Sequence, residues 1–242
     1  MKDKLTLVLV GGEDRKELLA ALKRCGWCEF RIDEFLKKNP EDKLKKWLTL
    51  KTSTKKIGTV RWHKEHQNQG LAISEKRRLE IYRDILEYVD YVDVEIKSKI
   101  AKEVIKSARK KGKKVIVSYH NFSRTPSLKF LKKVYNKGRR LKPDIIKIAT
   151  DVNSPDELLT LLFFTHTYSK SFPVVITPMG VSFIERLIPL YFGSLFTYIS
   201  FNTKTAPGQV SYKEIQNLKY IEIDKKWGGG QGKPHHPTLS PQ

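Results

Sequence analysis

Lys147 interrupts the apolar run Asp144-Ile145-Ile146-Lys147-Ile148-Ala149-Thr150, and His120 ends the run Val115-Ile116-Val117-Ser118-Tyr119-His120-Asn121 one strand–helix–strand unit earlier. A strand buried on both faces is written as continuous Val and Ile, and desolvation normally keeps an ammonium out of it. Burial favours the neutral amine, the form that attacks a ketone to give a Schiff base. A histidine close by can carry a proton to or from the resulting adduct. The pair reads as covalent amine chemistry beside an acid–base group.

Both runs belong to a longer alternation. Short stretches rich in β-branched residues recur at 5–10, 28–32, 57–62, 91–95, 114–118, 145–149, 174–177 and 196–201. Between them, segments with helical periodicity fall at 14–25, 74–88, 99–111, 127–139, 154–168 and 182–191. Ser74 and Ser154 have the position of N-caps, and Glu157 lies three residues past Ser154 as in a capping box. About eight strands alternating with helices predict an α/β fold, a single (β/α)8 TIM barrel. A doubly wound open sheet is the alternative, although no GxGxxG or Walker-type loop follows the first strand to build a nucleotide site. The barrel domain is expected over residues 1–226. Residues 227–242 carry many breakers and no periodicity, which predicts a disordered tail or an appended remnant.

Composition narrows the functional classes. With 242 residues, 39% of them hydrophobic, the chain can bury one sizeable core. A formal net charge of +21 raises nucleic acid or an anionic small molecule as partner. The basic residues are spread over nearly every expected helix instead of forming one patch interleaved with stacking aromatics, so no dedicated nucleic-acid site is expected. Cys25-Gly26-Trp27-Cys28 has redox spacing, but Cys25 would close a helix and Cys28 would start a strand, whereas a redox pair opens a helix. Two thiols suit a reducing cytosol. The apolar run 5–10 is too short for a signal segment or membrane span, so a cytoplasmic location with no membrane partner is expected. His235 and His236 in the tail lack the geometry of a metal site, and no metal or cofactor is expected.

In a (β/α) barrel the site forms at the carboxyl ends of the strands. That rule selects Glu29 and Arg31, which share a face by alternation, then Arg61 and Glu65, His120, Lys147, Met179 and Arg186, and Thr205 and Gln209 after the last strand. An amine nucleophile, a base, carboxylates and arginines together suit proton abstraction beside the carbonyl of an anionic substrate.

These residues resemble the type I 3-dehydroquinate dehydratases, Schiff-base-forming barrels of the shikimate pathway, from about Leu5 to about Leu218. Glu29-Phe30-Arg31-Ile32-Asp33 resembles the family's ExRxD, and Arg61-Trp62-His63-Lys64-Glu65 its RxxxE. Ser118-Tyr119-His120 is similar to its SYH segment, with Lys147 falling 27 residues beyond His120, where the family's lysine stands. Thr177-Pro178-Met179-Gly180 leads to Arg186, and Thr205-Ala206-Pro207-Gly208-Gln209 resembles the APGQ loop. Three departures stand beside these matches. His66-Gln67-Asn68-Gln69-Gly70 follows Glu65 where two glycines are usual, Thr205 replaces a serine, and Asn121 stands where aspartate is more frequent.

The resemblance implies loss of water from 3-dehydroquinate to give 3-dehydroshikimate in a homodimeric enzyme without a cofactor. It implies that Lys147 forms the imine, that His120 is base and then acid, and that Glu65 holds its tautomer. Arg186 would bind the substrate carboxylate, Met179 would pack on the substrate ring, and Glu29, Arg31, Arg61, Thr205 and Gln209 would bind hydroxyls or anchor these groups. For Arg31 and Arg61 an ion-pair role with Glu29 or Glu65 stands beside substrate contact. An aldolase-like enzyme using Lys147 for carbon–carbon cleavage and a basic polyanion-binding barrel remain as alternatives.

Overall fold

The computed structural model describes residues 2–65, 71–206 and 208–217. The loop after Glu65, Pro207 and the 227–242 tail therefore lie outside the described residues. The described residues form one curled, all-parallel sheet of nine strands in an α/β fold. Its strands are β1 (Leu5–Leu9), β2 (Trp27–Arg31), β3 (Lys55–Thr59), β4 (Tyr91–Glu95), β5 (Lys114–Asn121), β6 (Ile145–Asp151), β7 (Val174–Met179), β8 (Thr197–Ser200) and β9 (Val210–Ser211). The order across the sheet is β7-β6-β5-β4-β3-β2-β1-β8-β9. Along β7, Leu195 N donates to Val174 O at 2.8 Å and Ile176 N to Ser194 Oγ at 3.0 Å, so the segment entering β8 satisfies backbone groups of β7.

Alternation along the strands sorts the side chains. One set forms a buried cluster drawn from β1 to β8: Val8, Trp27, Ile57, Tyr91, Ile116, Ile145, Val175, Phe196 and Tyr198. Trp27 packs on Tyr91 and Phe196 with centroids 5.0 and 4.6 Å apart. Aromatic pairs of this kind add roughly 0.5–1.5 kcal/mol each beyond area burial, which makes a rigid floor. The opposite set, including Leu7, Leu9, Phe30, Val92, Val117 and Ile148, joins the larger core beneath the helices. Two residues further along the floor-facing positions come Glu29, Asp93, Ser118 and Lys147, and after another two Arg31, Glu95, His120 and Ala149. The period of two thus stacks polar layers on the apolar floor, at the carboxyl ends of the strands.

The six expected helices are present with altered ends. The helix Arg15–Leu22 starts on Asp14, whose Oδ1 accepts from Glu17 N at 2.9 Å. Ser74 caps the helix Glu75–Ile85 by accepting from Arg77 N at 3.2 Å. Ser154 likewise accepts from Glu157 N at 3.3 Å. The capping box expected there takes another form, because Glu157 Oε2 accepts from Asn153 N at 2.8 Å and Thr125 N at 3.2 Å. The segment expected as helix over 182–191 stops as Phe183–Leu187 and tightens into a 3-10 turn at Ile188–Leu190, where Pro189 cannot donate a hydrogen bond. The helices Ile32–Lys38, Leu44–Leu48 and Tyr212–Asn217 and the strand β9 were not anticipated, all too short to show periodicity.

β3 ends earlier than expected because side chains claim the following backbone. Val60 N lies 3.3 Å from the Tyr82 hydroxyl, Arg61 N donates to Asp33 Oδ1 at 3.2 Å, and Trp62 N donates to Glu95 Oε1 at 2.9 Å. Arg61 is therefore held by tertiary hydrogen bonds just beyond the sheet. Cys25 and Cys28 are free and buried, and burial pushes both thiols up to about 12, so neither has the thiolate character that redox exchange needs.

Candidate active site

All ten candidate residues line one cavity at the carboxyl ends of the strands, together with Val8, Phe122, Ala149, Thr177, Tyr198 and Ala206. Lys147 is buried in β6, and its Nζ donates to Asp93 Oδ2 at 2.9 Å, with Glu29 Oε1 at 3.7 Å. Nζ also lies 4.1 Å from the centroid of the Tyr198 ring. An apolar strand can carry this amine because β2 and β4 supply carboxylates opposite it. Asp93 and Glu29 would also compensate a cationic nitrogen formed at this position. Burial opposes ionisation of Asp93, yet the charges of Lys147 and Arg61 and hydrogen bonds from Ser118 and Lys147 prevail and pull it down to about 2.

His120 faces the same space from β5. Its Nδ1 lies 3.1 Å from Glu65 Oε2 and 3.4 Å from Arg61 Nη1, and its ring stacks on Phe122 with planes 10° apart. Glu65 ends a 3-10 turn, His63–Glu65, anchored by Glu65 N donating to Trp62 O at 2.8 Å. Burial, with Glu95 behind it, pushes the Glu65 carboxyl up to about 7 against the pull of Arg61 and Lys97. Below about pH 7 the protonated acid cannot offset an imidazolium; above it the carboxylate can. The specificity constant kcat/KM should therefore rise with pH through about 7, with the apparent value belonging to the Glu65–His120 pair. Glu65→Gln removes the counter-charge, so this limb should move to lower pH and kcat should fall roughly 10- to 100-fold. A wild-type pH–rate profile in that variant would contradict the coupling.

The arginines divide by partner. Arg31 forms a two-pronged pair with Asp33, Nε to Oδ1 at 3.1 Å and Nη2 to Oδ2 at 2.7 Å. Arg61 binds Glu95 at 2.9 Å, Asp93 at 3.3 Å and Ser118 Oγ at 3.1 Å. Ion pairing thus occurs at both, with Asp33, Asp93 and Glu95 as partners where Glu29 or Glu65 had been expected. Arg186 is buried in the helix Phe183–Leu187, and its Nη1 donates to Pro178 O at 2.9 Å. Burial pushes its guanidinium down to about 10, still cationic at neutral pH, and an anionic group entering the cavity would offset that desolvation.

After β8 the chain returns over the cavity. Thr205 N donates to Gln209 Oε1 at 2.7 Å and Thr205 Oγ1 lies 3.2 Å from the same atom, closing the loop on itself. Gly208 has φ +61° and a Cβ there would stand 2.6 Å from Val181 O, so only glycine lets this loop seat against the turn after β7. Met179 is buried against the same space. Asp93, Glu95 and Tyr198 escaped the sequence reading. In Tyr91-Val92-Asp93-Val94-Glu95 two carboxylates alternate with valines, the pattern of a half-exposed strand, although the strand is buried throughout.

Sheet and cavity together define an α/β enzyme of the kind that works at the carboxyl ends of its strands. The sequence model of the family Type I 3-dehydroquinase matches residues 6–225, and the chain belongs to that family of hydro-lyases. A 3-dehydroquinate dehydratase from Thermodesulfovibrio yellowstonii is 33% identical over 198 residues, 81% of this chain and 85% of that protein. The type I 3-dehydroquinate dehydratase of Clostridium difficile, solved with covalently modified comenic acid, is similar at 27% identity with TM-score 0.75, covering 89% and 90% of the two chains. The 3-dehydroquinate dehydratase structure from Geobacillus kaustophilus HTA426 shares the fold at TM-score 0.77 and 24% identity, with 89% of each chain covered.

Proposed function

We propose that this chain dehydrates 3-dehydroquinate to 3-dehydroshikimate, in the shikimate pathway, through a Schiff base on Lys147 with His120 as general base and acid. The observation that carries the reading is the placement of the Lys147 amine between Asp93 and Glu29, in the same cavity as the His120–Glu65 pair. The amine lone pair attacks the ketone carbon and water leaves, giving a protonated imine whose charge takes the place of the ammonium beside the two carboxylates. That imine accepts the electron pair released when His120 removes the proton from the adjacent carbon. The enamine then expels the hydroxyl, which leaves as water with the proton returned by His120, and a water molecule hydrolyses the product imine to release 3-dehydroshikimate and the Lys147 amine. One group serving both transfers fits elimination from a single face.

Arg186 would hold the substrate carboxylate, since a guanidinium fork matches two oxygens. Arg186→Ala should raise KM roughly 10- to 100-fold with a smaller effect on kcat. An unchanged KM in steady-state assays would remove Arg186 from that role. Arg31, Arg61 and Glu29 would serve by fixing the charges around the nitrogen. Thr205, Gln209 and Met179 would close over the substrate.

The same reading carries a closed (β/α)8 barrel over residues 1–226, a homodimer and a cytoplasmic location. Closure is supported by the interior cluster shared by β1 through β8 and by two hydrogen bonds to β7, Leu195 N donating to Val174 O and Ser194 Oγ accepting from Ile176 N. Among the described residues no helix is long and apolar enough to cross a membrane. The function is tested by incubating the chain with 3-dehydroquinate and following the ultraviolet absorbance of the conjugated enone product. Steady growth of that absorbance is expected, and its absence at micromolar enzyme would overturn the reading.

A further inference from the structure

Arg78 lies on the helix Glu75–Ile85, on the side of β3 and β4 away from the cavity, and is fully buried. Every one of its five donors is used. Nε and Nη2 donate to Val60 O at 3.0 and 2.7 Å, Nη2 also donates to Glu95 Oε2 at 2.5 Å, and Nη1 reaches Glu75 Oε2 at 2.6 Å and Ser98 Oγ at 3.2 Å. Lysine offers three donors from a single point and cannot reproduce this fork.

The partners of Arg78 lead into the site by two routes. Val60 is the residue before Arg61, so the fork fixes the backbone from which Arg61 projects. Glu95, held by Arg78 through Oε2, uses Oε1 to accept from Arg61 Nη1 and Trp62 N, both at 2.9 Å. Arg61 in turn binds Asp93, which binds Lys147. Charges therefore alternate along a buried row, Arg78, Glu95, Arg61, Asp93, Lys147, and Arg78 terminates it.

We propose that Arg78 is a positioning residue for the reaction, acting through Glu95 and Arg61 to orient the Lys147 and His120 groups and to set the pH at which the Glu65–His120 pair becomes active. The proposal rests on the Schiff-base reading above. Around Glu65 stand Glu95 and Lys97 from the end of β4, Arg61 from beyond β3, and His120 from β5. Of these, Glu95 opposes ionisation of Glu65, and Arg78 together with Arg61 partly cancels it. Removing Arg78 leaves the negative charge of Glu95 less compensated, so Glu65 should hold its proton to higher pH.

The test compares kcat, KM and the pH dependence of kcat/KM for Arg78→Met, Arg78→Lys and the double variant Arg78→Met with Glu95→Gln. Arg78→Met should lose roughly 10- to 100-fold in kcat with little change in KM and should move the acid limb to higher pH. Arg78→Lys restores the charge without the fork, so the limb should return towards the wild-type position while kcat recovers only in part. Arg78→Met can fail to fold, because it leaves Glu95 buried with one cation fewer. The double variant removes both charges, and its limb should fall below that of the wild type. A folded Arg78→Met with the wild-type limb and kcat would overturn the proposal, as would a double variant whose limb does not move. Borohydride trapping of each protein with 3-dehydroquinate separates the two levels of the argument. No adduct on wild-type Lys147 would overturn the Schiff-base reading and this proposal with it, whereas trapping with an unmoved limb overturns this proposal alone.

Discussion

Lys147→Ala is expected to lower turnover by about 10⁴- to 10⁶-fold and to abolish adduct formation, because among the described residues no other lysine lines the cavity to supply the nitrogen of the imine. The magnitude follows from the chemistry. Without an imine, the electron pair left by proton removal has no cationic acceptor conjugated to it. Lys147→Arg separates that loss from an electrostatic one. A guanidinium keeps a cation beside Asp93 and Glu29 but is not a nucleophile at neutral pH, so it should preserve folding while remaining as inactive as alanine. Alanine should cost stability as well, since it withdraws the nearest cation from Asp93. Activity within about tenfold of wild type in either variant would contradict the covalent mechanism.

His120→Ala should be nearly as damaging to turnover while leaving imine formation in place. General acid–base catalysis contributes about 10²- to 10⁴-fold, and here one imidazole is asked to act twice, so a loss towards the upper end is expected. The discriminating observation is a split. The variant should still give a borohydride-trapped adduct on Lys147, more slowly than wild type, while the product fails to accumulate. Near-normal turnover would exclude His120 as the base. Loss of the adduct together with turnover would instead place its main action in building the imine.

Much of the fold was legible because its signals are local. Eight short β-branched runs separated by helical periodicity gave the order of β1 to β8, and strand ends erred by one to three residues where side chains claimed the backbone, as at Val60 to Trp62. The short helices Ile32–Lys38 and Leu44–Leu48 carry too few turns to impose a period. The site was legible wherever a polar residue broke an apolar run or matched a family signature, and those ten residues share one cavity. What escaped was the counter-charge. Asp93 and Glu95 alternate with valines and so resemble an ordinary half-exposed strand, although both are fully buried. Tyr198 reads as a core aromatic, and Arg78 as one more basic residue on a helix already rich in them. Their roles depend on which strands and helices become neighbours, and that information is tertiary.

Schiff-base formation on Lys147 is read out by intact mass spectrometry after mixing the chain with 3-dehydroquinate and sodium borohydride, followed by peptide mapping. One reduced adduct per chain is expected, located on Lys147. Steady turnover of 3-dehydroquinate with no adduct, or with the adduct on another lysine, would contradict it.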